Sequence, residues 1–176
     1  MGYLPHPPDN DPITGSPLTG HEDEPVRVVI EGLLLKRGFT AADIAVEPTR
    51  HLHLGDEAVT VKVDLLVSRR GRPALVVRCA PGSLASRIQE TIARARLIAE
   101  PWAPLAVSTN GVDARLIEVA DGRTLAKGLQ AIPGPEELDA ALADRPPRRP
   151  TPAETEKALR VYLAYAAFKC PTDCTF

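Results

Sequence analysis

Two charged side chains stand where apolar ones are expected: Asp64 inside VTVKVDLLV (59–67) and Arg78 inside PALVVRCAP (73–81). On neighbouring strands they could form a half-buried ion pair, which must be well hydrogen-bonded because desolvating both charges is costly. Arg69, Arg70 and Arg72 gather in SRRGRP, and Arg87, Arg94 and Arg96 recur further on; these cations can meet phosphates or form a solvated face. His51 and His53 alternate in HLHLG and could share a metal, but without a third ligand they read as an exposed connecting stretch. Cys170 and Cys174 supply half of a tetrahedral site with no second pair, so they read as thiols of a tail.

The elements that must position these residues follow from periodicity. In EDEPVRVVIEGLLLKRG, Val26, Val29, Ile30, Leu33 and Leu34 form one helical stripe, with Pro25 at its first turn and Gly38 past its last. IAVEP (44–48) reads as a short strand, and 59–67 as a stronger one whose Val59, Val61, Val63 and Leu65 alternate with Thr60, Lys62, Asp64 and Leu66. A basic turn then returns the chain as ALVVRC, so the two pair as a hairpin, and 51–58 joins the first strand to the second. PGSLASRIQETIARARLIAE predicts a helix capped by Ser83, with Leu84, Ile88, Ile92, Ala95 and Ala99 inward.

Further on, LAVST (105–109) and ARLIEVA (114–120) are strands parted by the turn residues Asn110-Gly111, and PEELDAALA is a short helix. Trp102 reads as a core plug. Thr151, Pro152 and Glu154 form a capping box that opens a last helix carrying Ala158, Val161, Leu163, Tyr165 and Phe168. The predicted organisation is an extended arm (1–21), an α/β domain with a mixed sheet flanked by helices (22–144), a Pro-rich linker (145–152), a C-terminal helix (153–169) and a tail (170–176).

Composition limits the function. A net charge of −2 excludes a generally basic coat, so any contact with a polyanion must be local. No apolar run approaches the roughly 20 residues that a membrane span needs. Three cysteines, with no basic and apolar leader at the start, lead to the expectation of reduced thiols in a cytosol. No G-x-x-x-x-G-K-[ST] loop occurs, so this chain carries no phosphate-gripping motor motif of that type.

The order helix, three strands, helix, two strands, with EDEPVR opening the first helix, VDLLV around Asp64, PALVVRCAP, Gln89 and VSTNG (107–111), resembles the PD-(D/E)XK restriction-endonuclease-like fold. More narrowly, residues 22–132 are similar to the N-terminal domain of type I restriction enzyme R subunits. That resemblance implies phosphodiester hydrolysis with Mg²⁺, held by one carboxylate late on the second strand and another on the third, with a lysine two residues beyond. Asp64 matches the first position and becomes the metal ligand. Against the family's V-E-C-K, however, Val77-Arg78-Cys79-Ala80 has arginine for glutamate and alanine for lysine.

Some members of the fold supply the acid from the second helix, which points to Glu90. With Ile88 at the centre of the apolar stripe, Glu90 falls about 200° away and faces off the sheet, while Gln89 at about 100° flanks the groove. Glu24 matches an accessory acid of the fold. The site residues are thus Asp64, Arg78 and Gln89, with Asp64 the metal ligand and Arg69, Arg70, Arg72 and Arg87 the nucleic-acid contacts. Arg78 is expected to replace the metal's charge with a permanent one. The resulting reading is a catalytically degenerate nuclease domain, with DNA as its candidate partner. Two alternatives stand beside it: an active endonuclease that uses Mg²⁺ and a non-standard acid, and a protein-interaction module without a cofactor.

Overall fold

The computed structural model describes residues 8–167. Phe168 and the tail thiols Cys170 and Cys174 lie outside the described residues. The chain runs α1 (Glu24–Lys36), β1 (Ile44–Val46), β2 (Thr49–Leu54), β3 (Glu57–Lys62), β4 (Leu65–Arg69), β5 (Arg72–Cys79), α2 (Ile88–Leu97), β6 (Leu105–Thr109), β7 (Ala114–Glu118), β8 (Thr124–Lys127), α3 (Pro135–Ala143) and α4 (Pro152–Ala167). Six strands make one sheet in the order β1-β4-β5-β6-β7-β8, and β2 and β3 make a separate pair. Only β5 and β6 run parallel, because α2 carries the chain across between them. The expected mixed α/β architecture is therefore the one observed.

β5 is buried on both faces, which explains its unbroken Ala74–Val77 run. Leu75, Val77 and Cys79 join Ile30, Leu34 and Leu138 in one core cluster, with α1 and α3. Val76 joins Ile92, Leu97, Trp102, Leu159 and Tyr162 in the other, with α2 and α4. Residues alternating along β5 therefore face different helix layers. The tip of the β4–β5 hairpin is the two-residue turn Arg70-Gly71, both at positive φ (51° and 74°), as such hairpins require.

The expected strand over 59–67 is interrupted at Val63 and Asp64, and the expected connecting stretch is itself strand β2. The register passes through the break: Val46 faces Leu65, Thr49 faces Lys62, and Glu47 N–H and Val63 N–H bond to Asp64 O and Pro48 O. One long hairpin is thus bent where Pro48 and the left-handed Glu47 (φ 49°) meet Val63 and Asp64. Across that bend Val59, Val61 and Val63 fill the α2 cluster, whereas Leu65 and Val67 fill the α1 cluster. The single alternation read from the sequence serves two cores.

Four other expectations need correction. Val29 is 51% exposed; α1 buries Glu24, Arg27 and Glu31 beside Val28, Ile30 and Leu34, because these charges neutralise one another. Ser83 makes no helix cap; the segment starts as a 3₁₀ turn over Ala85–Arg87. The Pro-rich stretch is fastened to the domain. Trp102 N–H donates to Arg148 O, Arg145 pairs with Glu118 at 2.6 Å, and Arg96 and Arg148 both stack on the buried Trp102 ring. The Thr151–Glu154 capping box forms as expected, and α4 packs on α2 while its Tyr162 hydroxyl donates to Thr60 O. Residues 10–20, expected to belong to an extended arm, instead fold back on α1, because Asp11 pairs with Arg27 and Glu24 accepts from Thr19 and Gly20 N–H.

Candidate functional site

The bend in the hairpin turns Asp64 towards the face of the sheet that α2 covers. Arg78, near the end of β5, points to the same face, as does Val76 two residues earlier. The two side chains meet: Arg78 Nη1 donates to Asp64 Oδ2 at 2.8 Å, and Cys79 N–H donates to the same oxygen at 2.8 Å. Asp23, immediately before α1, closes one side at 3.0 Å from Arg78 Nη1, and Glu90 on α2 closes the other, its Oε1 3.5 Å from Arg78 Nε. Arg78 is 2% exposed. One guanidinium is therefore ringed by three carboxylates from three different elements.

Glu90 corrects the wheel drawn on Ile88. It is 2% exposed and faces the sheet, not away from it. α4 covers a further side of α2, so the helix is buried nearly all round and its apolar stripe does not mark the inward face. What brings Glu90 inward is its own salt bridge: Arg94 donates to Glu90 Oε1 through Nε (3.0 Å) and Nη2 (2.7 Å), and also reaches Lys62 O. The i,i+4 spacing of Glu90 and Arg94, like that of Arg27 and Glu31, was the available signal. Asp23 was missed because an acid before a helix is accounted for by the helix dipole.

The charges are mutually stabilised. Burial alone would push the Glu90 carboxyl up, but Arg78 and Arg94 outweigh it and hold the group below the usual glutamate range. Burial likewise opposes the Arg78 charge, yet Asp64, Glu90 and Asp23 together keep it firmly protonated. Cys79 faces the opposite layer, where burial pushes its thiol well up. It is no nucleophile.

Other site candidates are placed elsewhere. Gln89, about 100° round α2 from Glu90, is exposed and lines a shallow groove with Arg96, Asp121 and Lys157. Arg69, Arg70 and Arg72 lie at the far end of the β4–β5 hairpin, roughly 20 Å of strand from Arg78. Arg69 makes a two-point bridge to Asp139 at 2.9 Å, and Arg72 donates to Arg145 O. Arg70 is 85% exposed, with Asp139 at 3.6 Å. Of the four arginines expected to contact nucleic acid, Arg87 is the one near the site, donating to Pro81 O and lying 3.9 Å from Glu90 Oε2. Arg94 and Arg96 are spent on internal acceptors. The structure brings Asp64, Arg78, Glu90, Asp23 and Arg87 together, and leaves Gln89 and the hairpin arginines outside.

These residues do not fit a Mg²⁺ site as they stand. Mg²⁺ needs oxygen ligands at about 2.0–2.1 Å in near-octahedral array. Between Asp64 and Asp23 stands a guanidinium nitrogen, which can only donate. Among the described residues no group of three or more His, Cys, Asp or Glu is arranged to hold a metal ion. No helix among them is long and apolar enough to cross a membrane.

A six-stranded mixed sheet between helices, with an acid immediately before β4 facing the end of β5, defines a restriction-endonuclease-like domain. The chain belongs to the family described as type I restriction enzyme R protein N terminus, whose model matches residues 22–133. No curated protein and no solved structure matches the chain. The matched span includes Asp23, Asp64, Arg78 and Glu90, and ends before α3 and α4.

Proposed function

We propose that this domain is a non-hydrolytic member of its family, a restriction scaffold in which Arg78 has taken over the electrostatic work of the metal. The observation that carries this reading is the contact of Arg78 Nη1 with both Asp64 (2.8 Å) and Asp23 (3.0 Å). The carboxylates that hydrolysis would use to hold a cation are instead paired with a cation covalently fixed to the chain. The scaffold remains folded and keeps its recognition surfaces without a nucleophile-generating ion. The test is plasmid nicking in Mg²⁺ and in Mn²⁺, with calorimetric titration of either ion. No cleavage and no binding heat are expected, in the wild type or in Asp64→Ala. Metal-dependent nicking that disappears in Asp64→Ala would overturn the reading.

Contact with DNA is the narrower half of the proposal. Of the four arginines expected to meet nucleic acid, Arg69 and Arg72 are committed to Asp139 and to the carbonyl of Arg145, so phosphate contact falls to Arg70 at the hairpin tip and Arg87 beside the site. A gel shift with duplex DNA is then expected to show a shallow salt dependence, corresponding to about one or two phosphates. A second reading, an active nuclease using Asp64 and Glu90, is favoured by the inward turn of Glu90. It requires Arg78 to leave its three acids before Mg²⁺ can enter, and the nicking assay separates it from the first.

A further inference from the structure

We infer that His51 and His53 form a surface site for a divalent transition metal, of the class that prefers imidazole, such as Zn²⁺ or Cu²⁺. The sequence offered these two residues as part of a connecting stretch, in which their relative direction is undefined. The structure puts them two apart on strand β2, and side chains two apart on a strand share a face. That face is the outer one: His51 and His53 are exposed, while Leu52 and Leu54, on the other side of the strand, pack against the α2 core cluster. Opposite them on β3 stand Thr60 and Ala58, both small, so neither imidazole is crowded or covered.

One ring is also held in place. His51 Nδ1 lies 3.0 Å from Thr60 Oγ1. In the tautomer whose Nδ1–H donates to that hydroxyl, Nε2 of this exposed ring carries the free lone pair for a metal, an outer-shell arrangement typical of metal-bound histidines. Same-face residues two apart on a strand lie roughly 7 Å apart, a spacing from which two imidazoles can converge on one ion with bonds of about 2.0–2.1 Å. With two protein ligands, the remaining positions are open to water or to groups of another molecule. Hard Mg²⁺ finds no oxygen set there and is rejected. The site lies on the outer face of the hairpin, while Asp64 and Arg78 lie under α2, so it does not depend on the proposal for that centre.

The experiment is titration of Zn²⁺ and Cu²⁺ into the full chain carrying His6→Ala, His21→Ala, Cys170→Ser and Cys174→Ser, which leaves the pair as the chain's only imidazoles and removes the tail thiols that could compete for the ion. Binding is followed by calorimetry and, for Zn²⁺, by the imidazole resonances in NMR spectra. One ion per chain is expected, with both rings shifting together and no response to Mg²⁺. His51→Ala and His53→Ala should each weaken binding more than Thr60→Val, whose outer-shell effect is about tenfold. All three positions are exposed, so the variants keep the fold. Zn²⁺ affinity unchanged in His51→Ala and His53→Ala, or only one ring responding, would overturn the inference.

Discussion

Arg27 and Arg78 each gather three carboxylates in the interior, yet the charge balance around them differs. Arg78 holds Asp23, Asp64 and Glu90, and Glu90 is shared with a second buried cation, Arg94. Arg27 holds Asp11, Glu24 and Glu31 without a second cation among its described ion pairs. The consequence shows in the protons. Glu90 is held below the ordinary glutamate range. Glu31 is fully buried, and burial pushes its carboxyl up to about 7 even though Arg27 pulls the other way. The number of cations per carboxylate, more than burial as such, decides which acid keeps its charge.

The largest effect should come from removing the central cations. Arg78→Met leaves three carboxylates without their shared partner, and a loss of about 3–5 kcal/mol is expected from urea denaturation. Arg27→Met should cost clearly less, because Glu31 can take up a proton and Asp11, on a segment folded over α1, can turn to water. Equal losses for the two variants would break the comparison.

Next in size is the pH dependence. Glu31 titrates near 4.5 when unfolded and near 7 when folded, so folding loses stability as pH rises across that window. The loss reaches about 3 kcal/mol at most. Glu90 acts in the opposite sense: its contribution is present above the ordinary glutamate range and is lost as pH falls through its depressed value. Urea midpoints at pH 5 and pH 8 should therefore differ in the wild type and converge in Glu31→Gln. A slope unchanged in that variant would remove Glu31 from the account.

The smallest effect concerns Asp11, which among the described residues is the one ion-pair partner of Arg27 from outside α1. Its carboxyl also accepts Ile13 and Thr14 N–H, and these bonds, with Arg27, hold it below the usual range against the opposing effect of burial. Asp11→Asn should cost about 1–2 kcal/mol and should speed amide exchange over residues 11–20 while leaving β5 unchanged. Uniform exchange across both regions would show that the segment is no separate fastening.

Much of this architecture could be read locally. The apolar run of β5, the Arg70-Gly71 turn and the Thr151–Glu154 capping box are features whose physics lies within a few residues, and each formed where expected. The pairing of Asp64 with Arg78 was also legible, because two charges on adjacent strands of one hairpin have few places to go. Glu90 was read the wrong way round: a helical wheel assumes one wet face, and α4 removed it. The hairpin arginines looked like a phosphate patch until Asp139 and the carbonyl of Arg145 claimed two of them.

Periodicity, turn chemistry and the arginine at position 78 were thus fixed by residue type, since they depend on neighbours in the chain. Which face each charge points to, which acids share a cation, and that His51 and His53 stand side by side were settled by packing. The reason is physical: a buried charge is oriented by partners from other elements, and Asp23, Glu90 and Asp11 reach theirs only once the bent hairpin, α2 and the N-terminal segment have come together.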